Sequence, residues 1–331
     1  MNNVHTRNDL KQLQALPLDI KVEMSKTRIR QWVNEYTIDG VYVSFSGGKD
    51  STVLLHIVRS IYPDVPAVFV DTGLEYPEIR QFVRSFDNVT WLKPKMNFKQ
   101  VIEKFGYPFF SKEVSHKFDD MYSAHEKGKH SYVDDQLKGT YISKNGKTNL
   151  LSITKYKFMV DSPFKISHRC CNVMKKTPIK NFERSTGRYG KITGSLAEES
   201  QIRLQRWLYE GCNAFKYNTS NPLSFWTEQD ILKYIKLNNI PIASVYGDIV
   251  PIDDQISIFE PDLKTTGCNR TGCMFCGFGC HLEQSPNRFE KMKLTHPKQY
   301  EYIMRDWNEG GLGYMKVIDW INEHGNMNIK Y

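Results

Sequence analysis

The chain has 331 residues, of which 40% are hydrophobic and 25% charged, and its formal net charge is +8. This composition is typical of a folded soluble protein and excludes a low-complexity chain. No apolar run reaches the length of a membrane span and the first residues carry no apolar signal region, so we expect a cytoplasmic location and no membrane partner. The excess of positive charge favours polyanionic partners, which include nucleotides and nucleic acids.

The first elements are predicted to be helices, followed by a strand, a glycine turn and a further helix. Residues 7–38 alternate helical patterning with charge and form an expected helical lead-in. The segment VYVSFSGGKDSTVLLH at 41–56 then joins β-branched and aromatic residues to an apolar-periodic helix that begins near Lys49 or Asp50. This order predicts a strand whose carboxyl end leads into a helix through the turn.

The turn has the composition of a phosphate-binding loop. Gly47 and Gly48 lack a Cβ, so the backbone N–H groups can approach an anion at the positive end of the helix. Lys49 supplies a mobile charge, and Ser46 and Ser51 supply hydroxyl donors. An ordinary strand-to-helix turn is the competing interpretation, because Ser, Gly and Asp are common in turns and caps. The spacing is too short for a Walker-type loop.

Further strands are predicted at 67–70, 90–92 and 190–193, each separated from the next by helical patterning. Strands that alternate with helices predict an α/β fold with a doubly wound, mostly parallel, Rossmann-like sheet, whose ligands lie beyond the carboxyl ends of the strands. Asp71 and Thr72 follow the second strand and are candidate nucleotide-binding residues, although Asp71 could instead cap the turn.

Residues 110–167 are rich in Lys, Tyr, Ser and His. A structureless loop of this length is uncommon, so we expect an insertion with its own helix or hairpin, or a lid. Interleaved basic and aromatic residues suit a nucleic-acid surface. A solvated insertion that covers the active site is an equally good interpretation.

Two motifs flank the fourth strand. HRCCNVMKKTPIKNF at 168–182 brings Cys170 and Cys171 next to a lysine-rich helical face that includes Lys175, which suits nucleotide phosphates. A buried cysteine beside a solvated lysine face is the alternative. After the strand, Gly194 precedes Glu199 and Arg203, where Arg203 could bind phosphate or carboxylate or only form an i, i+4 ion pair with Glu199.

The composition changes near residue 220. An amphipathic helix follows Pro222, and the helical tail from Asn287 comes after a glycine-rich cysteine loop. The loop contains four of the chain's seven cysteines at C-x4-C-x2-C-x3-C spacing, which predicts a ligand set for zinc or, by preference, a [4Fe–4S] cluster. The four candidate metal ligands are Cys268, Cys273, Cys276 and Cys280.

Taken together, these motifs resemble those of the phosphoadenosine phosphosulfate (PAPS) reductase family, within the adenine nucleotide α-hydrolase-like group that contains the N-type ATP pyrophosphatases. The resemblance covers about residues 38–305 and rests on SFSGGKDS, VDTGLEYPE, RCCNVMKKTP, the ES-x-x-R of residues 199–203, NPLSFWTEQDILKYI and the cysteine loop followed by RFEKMKLTHPKQY. We therefore expect a helical lead-in at 1–37, a nucleotide-binding α/β domain at 38–220 and a C-terminal helical region with the metal loop at 221–331.

The chain departs from the family's reductases in ways that bear on its reaction. PAPS reductases have usually lost the Lys-Asp of this loop, whereas Lys49 and Asp50 are intact. They attack with a cysteine in a C-terminal tail, and no cysteine follows Cys280, so a thiol nucleophile is expected from Cys170, Cys171, Cys212 or the metal loop itself. Leu196 occupies the arginine position of the family's G-x-R-x-x-E-S pattern, which leaves the second substrate open.

The resemblance also offers a second ligand set. Iron–sulfur sulfonucleotide reductases use a CC pair with a distant CxxC, which corresponds to Cys170, Cys171, Cys273 and Cys276. The local set is preferred at this point because it needs no long-range closure and explains the two cysteines that flank the CxxC.

The predicted function is that of an ATP pyrophosphatase, which binds ATP and Mg²⁺ and adenylates an acceptor in sulfur transfer or thio-modification. The candidate catalytic residues are Lys49, Asp50, Arg203, Lys175, Cys170 and Cys171. The nucleotide-binding set comprises Ser46, Gly47, Gly48, Lys49, Asp50, Ser51, Asp71, Thr72, Gly194 and Glu199. Alternatives are a thiol-dependent sulfonucleotide reductase and a nucleotide-binding regulatory or defence component with little turnover. A sulfur-donor or regulatory protein is a further expected partner.

Overall fold

The computed structural model describes residues 4–142, 153–252 and 261–331. Two compact units alternate along the chain. The first is built from the described residues of Met1–Asp71, Glu75–Lys93 and Pro178–Gly272. The second is built from those of Thr72–Leu74, Pro94–Thr177 and Cys273–Tyr331.

The described residues form short strands and mostly short helices. The strands are β1 (Val41–Ser44), β2 (Ala67–Val70), β3 (Val89–Leu92), β4 (Phe109–Phe110), β5 (Gly190–Thr193), β6 (Asn213–Ala214), β7 (Thr219–Ser220), β8 (Ile249–Pro251), β9 (Leu263–Thr265) and β10 (Gly277–Phe278). The α-helices are α1 (Arg7–Gln14), α2 (Leu18–Tyr36), α3 (Lys49–Ile61), α4 (Pro77–Arg84), α5 (Phe98–Phe105), α6 (Lys112–His125), α7 (Tyr132–Lys138), α8 (Thr177–Thr186), α9 (Gln201–Glu210), α10 (Glu228–Leu237), α11 (Arg288–Thr295), α12 (Pro297–Met304) and α13 (Tyr314–Gly325).

The first unit contains a six-stranded sheet in the order β3-β2-β1-β5-β7-β6. All neighbouring strands are parallel except β6, which pairs antiparallel with β7. At the centre, Val43 of β1 lies opposite Ala67 on one side and Ile192 on the other. The predicted mostly parallel sheet is therefore confirmed, and its four expected strands occur at the predicted positions.

Helices pack on both faces of this sheet, because successive strand residues point in opposite directions. Val41 and Val43 belong to the larger apolar core, which also contains residues of α2, α3 and α10. Tyr42 points the other way and packs edge-on against Phe182 of α8, with ring centroids 5.3 Å apart. This two-sided packing makes the sheet doubly wound, as predicted.

The helix that follows the glycine turn is held by its apolar stripe. Leu54, Leu55, Ile57 and Val58 are all buried in the main core, so α3 begins at Lys49 and runs beneath the sheet as the periodicity predicts. Its first turn is thereby fixed directly beyond the carboxyl end of β1, where a ligand of a parallel sheet lies.

The second unit contains a two-stranded parallel ribbon of β4 and β10 with helices α5 to α7 and α11 to α13. Its interior is aromatic: the rings of Tyr107 and Phe109 lie 5.5 Å and 5.4 Å from that of Tyr314. Most of the segment 110–167 belongs to this unit and forms α6, α7 and a 3₁₀-helix at Ile153–Asp161, so the segment has helices of its own. Its residues 143–152 lie outside the described part of the chain.

The domain boundaries expected near residues 38 and 220 stay predictions. The helix α10, which follows the second of these boundaries, belongs to the first unit together with the sheet. No helix in the described ranges combines the length and the apolar character that crossing a membrane requires.

Candidate functional site

The predicted phosphate loop forms a tight turn between β1 and α3. Gly47 has a φ of +71°, and a Cβ added to it would lie 2.7 Å from Cγ2 of Val83, so no other residue fits there without movement. The Ser46 N–H donates to Oγ of Ser51 at 3.2 Å, and the Gly48 N–H donates to Oγ of Ser46 at 3.3 Å. The hydroxyl groups therefore order the turn itself.

Lys49, the first residue of α3, is held by groups that its own unit supplies. Its Nζ donates to the backbone carbonyl of Asn269 at 2.6 Å and forms an ion pair with the Glu228 carboxylate. Its backbone N–H donates to Oη of Tyr246 at 3.3 Å. The Lys49 side chain is only 4% exposed, whereas Glu228 is 46% exposed. Glu228 is thus the half of the pair that a ligand can reach.

The sequence did not identify Glu228, Tyr246 or Asn269 as partners of the loop. The position of Glu228 at the start of a predicted helix could be recognised in the sequence, because it directly follows the N-cap residue. The contact of this helix end with Lys49 could not be predicted from the sequence. Tyr246 and Asn269 lie about 200 residues from the loop in sequence, and no sequence pattern connects them with it.

Asp50 follows Lys49 and lies where β5 approaches α3. A Cβ on Gly194 would lie 2.8 Å from the backbone oxygen of Asp50, so the glycine permits this close approach. Burial raises the pKa of the Asp50 carboxyl, while the positive charges of Lys49 and Arg270 oppose that shift. The predicted association of Gly194 with the phosphate loop thus has a geometric basis.

Glu199 and Arg203 form the i, i+4 ion pair that was one of the two interpretations of their spacing, and a second arginine joins it. Glu199 is 10% exposed, and its Oε1 lies 2.9 Å from Nη2 of Arg270. Arg203 pairs with Oε2 of the same carboxylate. Burial and the neighbouring Arg270 lower the pKa of Arg203. One carboxylate thus pairs with two guanidinium groups close to Asp50 of the predicted phosphate loop.

The predicted residues after β2 are ordered by hydrogen bonds. Asp71 is buried, and its Oδ2 lies 2.8 Å from Nη2 of Arg80. Thr72, also buried, begins the second unit, and its Oγ1 accepts from the backbone N–H of Leu74 at 3.2 Å. Asp71 remains a candidate for the ribose or magnesium side of a nucleotide.

The second unit contains a cavity that four cysteines line. Its other lining residues are apolar apart from Lys175, which is also a site residue predicted from the sequence. The lining consists of Leu74, Phe98, Pro108, Cys170, Cys171, Met174, Lys175, Cys273 and Cys276. The structure therefore brings together the adjacent pair and the CxxC of the second ligand set.

The remaining cysteines of the local set occupy other positions. Cys280 is buried in the second unit. Burial raises the pKa of the Cys280 thiol to about 12, and the nearby Cys276 acts in the same direction. Cys268 belongs to the first unit, where its N–H donates to the backbone oxygen of Val245 at 2.9 Å. In the described parts of the chain, no group of three or more His, Cys, Asp or Glu side chains is arranged around a single metal-ion position.

Positive charges surround the cysteine cavity. A hydrogen bond from Cys170 lowers the pKa of Cys171, and the charges of Lys112 and Lys175 add to this effect. Arg288 donates from Nη1 to the backbone oxygen of Cys276 at 2.6 Å. Sequence reasoning missed Lys112 and Arg288, because each comes from a helix that gave no sign of facing the cysteines.

Comparisons with known proteins agree with this description. A profile of the phosphoadenosine phosphosulfate reductase domain matches residues 40–107 and 89–277. Over 325 residues the chain is 24% identical to sulfate adenylyltransferase subunit 2 of a Marinomonas species, covering 91% of this chain and 94% of the relative. It is 22% identical to adenosine 5'-phosphosulfate reductase of Staphylococcus haemolyticus over 266 residues, covering 78% and 87%.

A third relative is longer than this chain. The chain is 25% identical over 268 residues to an uncharacterized protein of Methanocaldococcus jannaschii, a match that covers 78% of this chain but only 46% of the relative. The chain thus spans about half the length of that protein. The two relatives with named activities are enzymes, one for sulfate and one for a sulfonucleotide. Since the family profile matches well over half of its residues, the chain belongs to the phosphoadenosine phosphosulfate reductase family.

Proposed function

We propose that this protein is an ATP pyrophosphatase, which binds MgATP at the loop of residues 46–51 and adenylates an acceptor in sulfur transfer. One observation carries the proposal: the loop keeps both Lys49 and Asp50, and Lys49 lies at the N-terminus of α3 with an accessible acidic partner. A sulfonucleotide has no β and γ phosphates that would need these two residues. A named relative, sulfate adenylyltransferase subunit 2, supports this direction.

The phosphate chain of ATP would take over the role of the acids that now pair with the cations. The β and γ phosphates would accept from the N–H groups at the start of α3 and from Lys49, which would exchange Glu228 for phosphate oxygen. Arg203 would offset charge that develops at the α phosphorus. An acceptor oxygen attacks that phosphorus, the bond to the bridging oxygen breaks, and pyrophosphate leaves with the electron pair.

Magnesium would bind together with the nucleotide, and Asp50 is the residue whose carboxylate would hold the ion. Burial makes ionisation of the Asp50 carboxyl unfavourable, and a divalent cation beside the carboxyl would reverse this effect. Asp71 would serve the ribose side. In this role both carboxylates bind and orient, while the transfer itself depends on positioning and charge neutralisation.

We further propose that a [4Fe–4S] cluster is held by Cys170, Cys171, Cys273 and Cys276. The fit rests on the cavity that these cysteines line, on its otherwise largely apolar surface and on the cations near it. Four thiolates spread around a cluster, whereas a zinc ion needs its ligands converged on one point. When bound, the cluster would supply iron for sulfur binding or electron transfer; Lys112, Lys175 and Arg288 would balance its negative charge.

Pyrophosphate release tests the function. The purified protein with magnesium, α-labelled ATP and a panel of anionic and nucleic-acid acceptors is expected to release pyrophosphate. Lys49→Ala should lower the rate by about 100-fold or more, as loss of a transition-state charge contact does. Lys236→Ala changes an exposed lysine of the same unit and should leave the rate unchanged. Equal rates for the two variants would contradict the role of Lys49.

The thiol-dependent sulfonucleotide reductase is the second candidate, and the exposure of Cys170 and Cys171 to one cavity beside Lys175 favours it. The similarity of the chain to an adenosine 5'-phosphosulfate reductase also supports this candidate. This candidate predicts thiol-dependent sulfite release from PAPS, lost in Cys170→Ser or Cys171→Ser. Sulfite release without any pyrophosphate from ATP would replace the first proposal with the second.

A further inference from the structure

Part of the cysteine loop, the peptide between Cys268 and Cys273, lies directly against the phosphate loop in the first unit. The Asn269 carbonyl accepts from Nζ of Lys49 at 2.6 Å. Two residues later, Oγ1 of Thr271 lies 2.6 Å from Oη of Tyr246, the hydroxyl that accepts from the Lys49 N–H. The same Thr271 oxygen lies 3.7 Å from where a Cβ on Gly48 would be. Both neighbours of Arg270 are thus tied to the turn that would hold a phosphate.

Arg270 itself reaches toward the same place. Its guanidinium pairs with Glu199 at 2.9 Å, and its charge acts on the carboxyl of Asp50. Glu199 also pairs with Arg203, so two guanidinium groups share this one carboxylate. The side chains of Arg270 and Arg203 are 58% and 44% exposed, so several of their N–H donors remain open to a ligand.

We propose that Arg270 is a nucleotide-binding residue, whose guanidinium donates to the phosphate chain of the adenine nucleotide bound at the loop of residues 46–51. Glu199 positions Arg270 by one edge of the guanidinium and leaves the other edge for phosphate oxygens, which suit its planar fork. The inference rests on the proposed function for the location of the nucleotide. It adds that the peptide leading directly to Cys273 takes part in recognition of the phosphate chain.

Calorimetric titrations test this role. Wild-type protein, Arg270→Gln and Arg270→Lys are titrated with MgATP, with PAPS and with adenosine, which has no phosphate. Arg270→Gln should weaken binding of the phosphorylated nucleotides by about 10-fold or more, the usual effect of losing a charge-assisted hydrogen bond, and should leave adenosine binding unchanged. Arg270→Lys should recover part of the loss. Arg206→Gln, which changes an exposed arginine of α9 that pairs with Glu210, is the matched control and should bind like wild type.

The outcomes separate this inference from the proposed function. Unchanged binding of both nucleotides to Arg270→Gln would overturn the inference, as would an equal loss for adenosine, which would indicate a structural role. If wild type binds PAPS but not MgATP and Arg270→Gln weakens PAPS, the proposed function fails while the inference stands. If wild type binds neither nucleotide, both fail.

Discussion

The carboxyl group of Asp50 lies where the fold opposes its ionisation. Burial raises its pKa and Glu228 acts in the same direction, while Lys49, Arg270 and Arg203 only partly compensate. Perturbed carboxyl groups beside a ligand loop are common at functional sites, because the ligand supplies the charge that the free protein lacks. The raised pKa of Asp50 therefore agrees with a role of this carboxyl group in binding magnesium and nucleotide.

Replacement of Asp50 by Asn should stabilise the nucleotide-free protein. A raised pKa means that the folded protein holds the Asp50 proton more tightly than the unfolded chain does, so ionisation costs stability as the pH rises above about 4. At pH 7 we expect Asp50→Asn to unfold with a free energy higher by about 1 kcal/mol, the usual size of a single-substitution effect. Urea unfolding at pH 7 and pH 4 measures this difference, which should shrink at the lower pH.

Loss of MgATP binding should accompany that gain, because Asn cannot supply the negative charge. If Asp50→Asn is instead less stable than wild type at pH 7, neighbouring positive charges fully stabilise the ionised Asp50 carboxylate in the free protein. The expected cost of ionising this residue would then not exist.

At the scale of elements, α10 and α2 are joined by a buried ion pair within the first unit. Nζ of Lys21 lies 2.7 Å from Oδ2 of Asp230, and their side chains are 2% and 12% exposed. Asp230 also accepts from the Thr227 N–H at 2.7 Å, so one carboxylate completes the helix cap and neutralises Lys21. These contacts fix the start of α10 and thereby the position of Glu228, which pairs with Lys49.

Lys21→Met should destabilise the protein by about 3–5 kcal/mol, because it leaves a buried carboxylate without its cation. Lys26→Met is the control: it removes a surface pair with Glu23 on the same helix and should cost far less, because solvent screens that pair. Urea unfolding of the two variants measures both values. Equal effects would show that Asp230 is satisfied by its cap alone.

The sequence predicted elements well where local pattern determines them. The central strands β1 and β2 follow from runs that contain the buried β-branched residues Val41, Val43 and Val68, and the start of α10 follows from Thr227, whose side chain caps the helix. The π-helix at Asn172–Lys176 and the short β6 and β7 have no periodic signature of their own. The contacts of Glu228 and Asn269 with Lys49 depend on long-range packing, so the phosphate loop could be predicted but its partners could not.

At the scale of the whole molecule, the chain is a family member whose sequence alternates between two compact units, one with the phosphate loop and one with the cysteine cavity. The cysteine motifs were recognised in the sequence. The choice between the two ligand sets depended on whether the CC pair and the CxxC, about a hundred residues apart, come together in the fold, which spacing alone does not reveal. The cavity lined by Cys170, Cys171, Cys273 and Cys276 favours the set with long-range closure.

Anaerobic purification with iron analysis and a visible spectrum tests the cluster. We expect about four irons per chain and broad absorption from iron–sulfur charge transfer. Cys170→Ser and Cys276→Ser should lose both signals, and Cys268→Ser should keep them. Cys212→Ser, which changes a cysteine of the first unit outside both sets, is a further control. Loss of the cluster in Cys268→Ser with retention in Cys170→Ser would favour the local set.

The proposed function requires that the phosphate loop direct cleavage between the α and β phosphates of ATP. Phosphorus NMR of MgATP, incubated with the cluster-loaded protein and its acceptor panel, identifies the products directly. We expect pyrophosphate together with AMP or an adenylated acceptor, and no ADP. Formation of ADP and phosphate, or ATP that stays intact with every acceptor while a parallel sample of PAPS and thiol is converted to 3'-phosphoadenosine 5'-phosphate, would contradict the proposed function.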